Sequence, residues 1–255
     1  MNHVRNTKHH KRKEVNKMAY KKETIVNLVN KANAIAAEII GNTDSYHVCI
    51  SKGNRKIGLV MNVSLAPVLS CGNCGHCSKY CYDIKACLRF VKNVLFNRVK
   101  NLVIAREDRE RFFREIREAI RRRKKNFFFR WHVAGDILDA EYFAEMVAIA
   151  KEFDYFTFWT YTKMYDIVND YVANNGGSRE AAIPENLKIM FSEWDGMPMN
   201  NPYHFPVFAV KLIAGNKDRR PEEFDMMYKC PGNCDICKKI CRGCIAGEDT
   251  YNDEH

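Results

Sequence analysis

Asn126-Phe-Phe-Phe-Arg-Trp-His-Val-Ala-Gly-Asp136 is the stretch that decides the fold. Nine residues rich in aromatic and β-branched side chains run to a Gly-Asp stop, which reads as a strand ending in a turn. A helical pattern over Ala140 to Phe153 follows, then a strand at Tyr155 to Thr162 and a helix at Met164 to Ala173. Past the loop Asn174 to Ser178, two more strands are expected at Leu187 to Trp194 and Pro206 to Ile213, the last clear one. Upstream, Ile57 to Ala66 reads as a strand that runs into Pro67, followed by helices over Ala86 to Ala105 and Arg106 to Lys125. Such alternation implies parallel strands joined by right-handed crossovers. The expected fold is α/β, a partial or closed (β/α) barrel, with an open doubly wound sheet as the alternative.

Working outward, residues 1–20 read as a basic flexible tail. Residues 21–56 hold a helix and a connector, with Ile25, Leu28, Val29, Ala32, Ile35, Ala36 and Ile39 at helical spacing before Gly41. Residues 57–228 form the barrel-like domain and 229–255 a cysteine-rich C-terminal extension. Within the deciding strand, alternation puts Phe128, Arg130 and His132 on one face and Phe127, Phe129, Trp131 and Val133 on the other. The second set suits packing under helices, which leaves Arg130 and His132 pointing inward. There they either pair with carboxylates or touch a substrate. Trp131, Trp159 and Trp194 fall at or near three successive strand ends with Tyr161, His132, Lys163 and Glu193. Ligands of parallel α/β folds gather at that end.

Nine of the eleven cysteines fall into two groups, Cys71-Cys74-Cys77-Cys81 and Cys230-Cys234-Cys237-Cys241-Cys244. The first has the C-x2-C-x2-C-x3-C spacing that ligates iron–sulfur clusters in bacterial ferredoxins. Disulfides fit poorly: the count is odd, and Met1 to Lys22 lacks the apolar core of a secretion signal. A cytoplasmic setting with reduced thiols is expected. Zinc is the alternative metal, although zinc ribbons bring two C-x2-C knuckles together across a longer gap, whereas each group here is complete in itself. Two [4Fe-4S] clusters are the expected cofactors. Cys49 and Cys87 read as small buried hydrophobes.

The chain has 255 residues and a net charge of +10. That length suits one large domain, and no apolar run is long enough to cross a membrane. The positive charge concentrates at Lys8 to Lys22 and Arg106 to Lys125. Arg121 to Lys125 and the basic tail are candidate phosphate contacts for a nucleic acid, a grip that carries no sequence readout.

Two resemblances follow from these residues. A strand leading into a three-cysteine loop, with a second strand ending in Ala134-Gly135-Asp136, resembles the radical S-adenosylmethionine superfamily. Its usual C-x3-C-x2-C motif is absent from the first group. Ser70-Cys71 with Cys77-x3-Cys81-Tyr82, Arg130-Trp-His-Val-Ala-Gly-Asp136, Tyr161-Thr-Lys163 and Cys230-Pro-Gly-Asn-Cys234 are similar to motifs of the phage and bacterial gene product 88 family, over roughly Ile57 to Cys244. The resemblance implies a barrel of radical S-adenosylmethionine type in which Cys71, Cys77 and Cys81 hold a cluster with one open iron. Cys74 would then be free or exchangeable; if it binds too, the cluster only stores or passes electrons. S-adenosylmethionine would meet Gly135, Asp136, Ser192 and Glu193, with His132 and Lys163 as proton carriers. A helix N-cap is the other role for Asp136. Four of the five C-terminal cysteines would hold an auxiliary cluster. A flavodoxin or ferredoxin would supply electrons.

The implied activity is generation of a deoxyadenosyl radical that takes hydrogen from a substrate. The alternative is a non-catalytic zinc or iron–sulfur protein that binds nucleic acid or a partner protein.

Overall fold

The computed structural model describes residues 19–55, 57–194, 196–211 and 221–253. Most of the basic tail lies outside them. Tyr20 lies inside, and its N–H donates to the Lys79 carbonyl at 2.8 Å.

Eight strands form one sheet in the order β1-β2-β3-β4-β5-β6-β8-β7. They are β1 (Ile50–Ser51), β2 (Met61–Val63), β3 (Phe128–Trp131), β4 (Thr157–Thr162), β5 (Leu187–Glu193), β6 (Val207–Lys211), β7 (Tyr228–Lys229) and β8 (Thr250–Asp253). Among the described residues only β1 runs antiparallel to its neighbour, and every other strand pairing is parallel. The strands make a mostly parallel mixed α/β sheet, and among the described residues no ladder joins β1 to β7.

The helices are α1 (Lys22–Ile39), α2 (Tyr82–Arg89), α3 (Phe96–Glu107), α4 (Arg109–Arg121), α5 (Ala140–Glu152), α6 (Tyr165–Asn174), α7 (Arg179–Ala182) and α8 (Cys234–Ile240). Asp108 caps α4 by accepting from the Arg111 N–H, and Asp139 caps α5 by accepting from the Tyr142 N–H. Side chains from α1 to α7 share one apolar core with Met61, Val63, Phe129, Trp131, Phe158, Ile189 and Phe191 of the sheet. Period-2 alternation aims those strand residues at the helices and their neighbours at the opposite face.

That opposite face is covered by the C-terminal cysteine segment. Cys237, Cys244 and Ile245 pack with Trp159, Met190, Ile57 and Val60 in a second apolar cluster. The segment is therefore not an appendage: α8 lies between β7 and β8, and β8 enters the sheet between β6 and β7. Pro206 to Ile213 is accordingly not the last strand. Strands as short as β7 and β8 carry little period-2 signal, so their place in the sheet comes from the pairing of β8 with β6 and of β7 with β8.

Two other elements differ from expectation. The strand foreseen over Ile57 to Ala66 shrinks to β2, because Gly58 adopts φ +68° inside a bridged turn with Asn54. A Cβ at Gly58 would stand 2.1 Å from the Asp235 carboxylate oxygens, so glycine lets this turn approach α8. The helix foreseen over Ala86 to Ala105 is interrupted at Phe90, which leaves helical geometry at φ −125°, ψ 58° before a π-helical turn at Val91–Leu95.

Candidate metal centre

A cavity of about 360 Å³ opens at the carboxyl ends of the parallel strands and extends along the sheet face opposite the helices. Cys71, Cys74, Cys77 and Cys81 line it, and so do Cys230, Cys234, Cys237 and Cys244. Two groups far apart in sequence thus wall a single space. All eleven cysteines are free thiols. Among the described residues no three His, Cys, Asp or Glu side chains converge on one ion-sized point.

The first loop is fixed from several sides. Gly72 and Gly75 pass so near the methyl ends of Met164 and Met197 that an added Cβ would lie 2.7 and 3.0 Å away. The Asn73 side-chain amide donates to the Lys163 carbonyl, and Tyr80 stacks on Trp194 with ring centroids 6.0 Å apart. A hydrogen bond from Cys74 pulls the Cys77 thiol down to about 6 against burial, with Lys163 assisting. Cys71 is lowered for the same first reason, whereas hydrogen bonds to Cys71 and Cys77 raise Cys74. Burial lifts Cys81 to about 11.

Facing this loop, Asp136 is buried and its carboxylate accepts from Thr162 Oγ1 at 2.6 Å, from the Ile137 N–H at 2.8 Å and from the Lys163 N–H at 2.9 Å. Burial raises its pKa, and these hydrogen bonds oppose the rise. Asp136 is not the N-cap of α5; Asp139 is. Gly135 precedes it at φ +87°, where a Cβ would meet Ser70 Oγ at 2.6 Å and Leu65 Cβ at 2.7 Å. Ser192 joins the cavity wall; Glu193, the next residue along β5, does not.

Lys163 lines the mouth, its ammonium 6.0 Å from the centre of the Trp194 ring. His132 sits differently. Its φ of +52° breaks the strand alternation, and Nε2 lies 3.0 Å from the Tyr142 hydroxyl on α5. Although it touches the cavity wall, burial and the Arg130 charge drive its pKa down to about 3, so it is neutral near pH 7.

Arg130 does point away from the helices. No carboxylate pairs with it among the described residues; its guanidinium lies 4.6 Å from the Tyr161 ring centre. Burial pushes its pKa down, but the combined influence of Tyr161, Tyr82, Cys234 and Cys244 outweighs that and leaves it raised. Of the three tryptophans, Trp159 and Trp194 line the cavity, while Trp131 is fully buried against Phe113 and Phe129 in the helix-side core. The alternation of β3 predicts that outcome for Trp131, because it shares a face with Phe129. Tyr161 and Trp159 gain their site role only because the C-terminal segment folds across β4, which no local pattern signals.

Cys241 is exposed and stands outside the cavity wall. Cys87 is buried beside the ion pair of Asp83 and Arg98. The basic block at Arg121 to Lys125 lies where α4 leads into the start of β3, at the opposite end of the strands from the cysteine loop. Arg121 pairs with Glu152 at 2.5 Å and Arg122 with Glu118 at 2.8 Å. No helix among the described residues is long and apolar enough to cross a membrane.

The profile of a family described as Gene product 88 matches residues 5–206. The match takes in much of the basic tail and all of α1, which the motif resemblance left out, and it stops before the second cysteine group. Nothing matches among curated proteins or among solved structures.

Proposed function

We propose, for a chain that belongs to the gene product 88 family, an iron–sulfur enzyme of radical S-adenosylmethionine type on a partial (β/α) barrel, with an auxiliary cluster. The observation that carries this reading is the placement of Cys71, Cys77 and Cys81 across one cavity from the buried Asp136 carboxylate, at the carboxyl ends of parallel strands. The donor set suits a sulfur-rich anionic group: eight thiols share the wall with the unpaired Arg130 guanidinium. Among the described residues the buried Trp159 indole N–H and Arg130 Nε have no hydrogen-bond partner, as donors awaiting an acceptor would.

In this reading Cys71, Cys77 and Cys81 hold the reactive cluster and Cys74 is exchangeable. Held there and reduced, such a cluster would supply the electron for cleavage of S-adenosylmethionine to methionine and a deoxyadenosyl radical. The chain's own groups bind and shield. Asp136 accepts from the methionine ammonium through Oδ2, which carries one protein hydrogen bond where Oδ1 carries two. Gly135 keeps the wall thin there, and Ser192 adds a polar contact from β5. Trp194 and Tyr80 keep water from the mouth. Lys163 holds a proton beside Cys77, while His132, neutral and tied to Tyr142, positions α5 rather than carrying protons. A flavodoxin or ferredoxin would dock on α8, where Ile236, Lys239 and Ile240 are exposed.

Anaerobic reconstitution tests the proposal. The expected product is brown, binds about eight irons per chain, changes its reduced spectrum on adding S-adenosylmethionine, and releases deoxyadenosine. A colourless protein holding two zincs sinks it and leaves the non-catalytic reading, in which Arg121 to Lys125 or the tail grips nucleic acid. The ion pairs already made by Arg121 and Arg122 weigh against that surface.

A further inference from the structure

We infer that Cys230, Cys234, Cys237 and Cys244 are the complete ligand set of the second cluster, that Cys241 takes no part, and that Arg130 is that cluster's internal counter-cation. The inference rests on the iron–sulfur reading above and specifies its second site.

The ligand set follows from local geometry. Cys234 and Cys237 are three residues apart on α8, so both side chains leave the same face of the helix. Cys237 is buried against the sheet, as is Cys244 in the turn after α8. Cys230 follows β7, and the Gly232 N–H donates to its sulfur at 3.4 Å. All four line the cavity. Cys241 is the C-cap of α8 at φ +49°, ψ 54°, a left-handed position that turns the chain out of the helix and leaves this residue exposed. Its backbone role is helix termination, which glycine or asparagine serves as well or better.

The counter-cation follows from position. Arg130 projects from the centre of the sheet into the same cavity, capped by the Tyr161 ring on β4. Trp159, fully buried on the same face and packed with Cys237 and Cys244, has an indole N–H with no acceptor among the described residues. A cation and a spare donor beside four thiols match a cluster whose thiolate shell leaves it negatively charged. Reduction adds another negative charge, so an adjacent guanidinium stabilises the reduced form and raises the potential.

Iron content and electron paramagnetic resonance of the reconstituted full-length chain test both parts. Cys241→Ser and Cys241→Gly are expected to keep the full iron complement, whereas Cys237→Ala and Cys244→Ala each lose about four irons, those of one cluster, and keep the signal of the first. Loss of four irons in the Cys241 variants overturns the ligand assignment, and so does full retention in Cys237→Ala. Arg130→Met is expected to lower the midpoint potential of the second cluster, and Arg130→Lys, which keeps the charge, to restore most of it. An unchanged potential in Arg130→Met overturns the counter-cation role. If the unmodified chain takes up no iron, the iron–sulfur reading itself fails, an outcome seen before any variant is compared.

Discussion

Gly135 and His132 show how single residues set the terms for this site. Gly135 sits at φ +87° with Ser70 and Leu65 within 2.7 Å of where a Cβ would stand. Alanine there meets both a left-handed penalty and a backbone-anchored clash, and we expect Gly135→Ala to lower stability by about 2–3 kcal/mol. A urea midpoint equal to that of the unmodified protein would refute the close approach. His132 has a folded pKa near 3, below its ordinary 6.5. Between those values the unfolded chain takes up a proton that the folded chain refuses, so stability falls as pH drops through that window, by up to about 1.4 kcal/mol per pH unit. Urea midpoints at pH 7 and pH 5 check this: the loss on acidification is expected to shrink in His132→Asn, and an equal loss in both proteins rules out His132 as its source.

At the scale of elements, α5 is the strut behind the Gly135-Asp136 turn. Asp139 caps it and also takes both ends of the Arg109 guanidinium, at 2.6 and 2.8 Å, which ties α4 to α5. Asp139→Ala removes the cap and half of this ion pair, and the expected cost is about 1–2 kcal/mol by chemical denaturation. A cost below a few tenths would mean that the capping contact is idle. Helix α4 makes a second point. Its stripe of Phe112, Phe113, Ile116 and Ile120 is buried as helical spacing predicts, while Arg117 and Arg121 bind Glu145 and Glu152 rather than standing free. Replacing Arg121 to Lys125 with glutamine should therefore leave iron loading unchanged; a fall in iron per chain would show that this end of the sheet communicates with the cavity.

For the whole molecule, the decisive fact is that the C-terminal segment closes the sheet face on which both cysteine groups meet. The segment is held by its cysteines, Ile245, Tyr228 and Tyr251 and by the short strands β7 and β8, a smaller set of apolar contacts than the helix-side core. Stripping the metal should then raise amide hydrogen exchange across residues 228–253 and leave α3, α4 and α5 protected. Uniform protection with and without iron would show that the segment folds without a cluster. The sequence by itself determined the strand–helix rhythm from β3 to β6, the amphipathic α1 and α4, the two thiol groups and the likeness to the gene product 88 family. Each of these rests on period, spacing or side-chain chemistry within about twenty residues, where the chain's local geometry leaves few choices. Tertiary structure alone decided that both thiol groups face one cavity, that Trp159 and Tyr161 line it beneath the C-terminal segment, and that Arg130 stands beside Cys234 and Cys244 with no carboxylate partner among the described residues. Those outcomes depend on which face of a sheet a distant segment covers, and no short stretch of chain encodes its partner across more than a hundred residues.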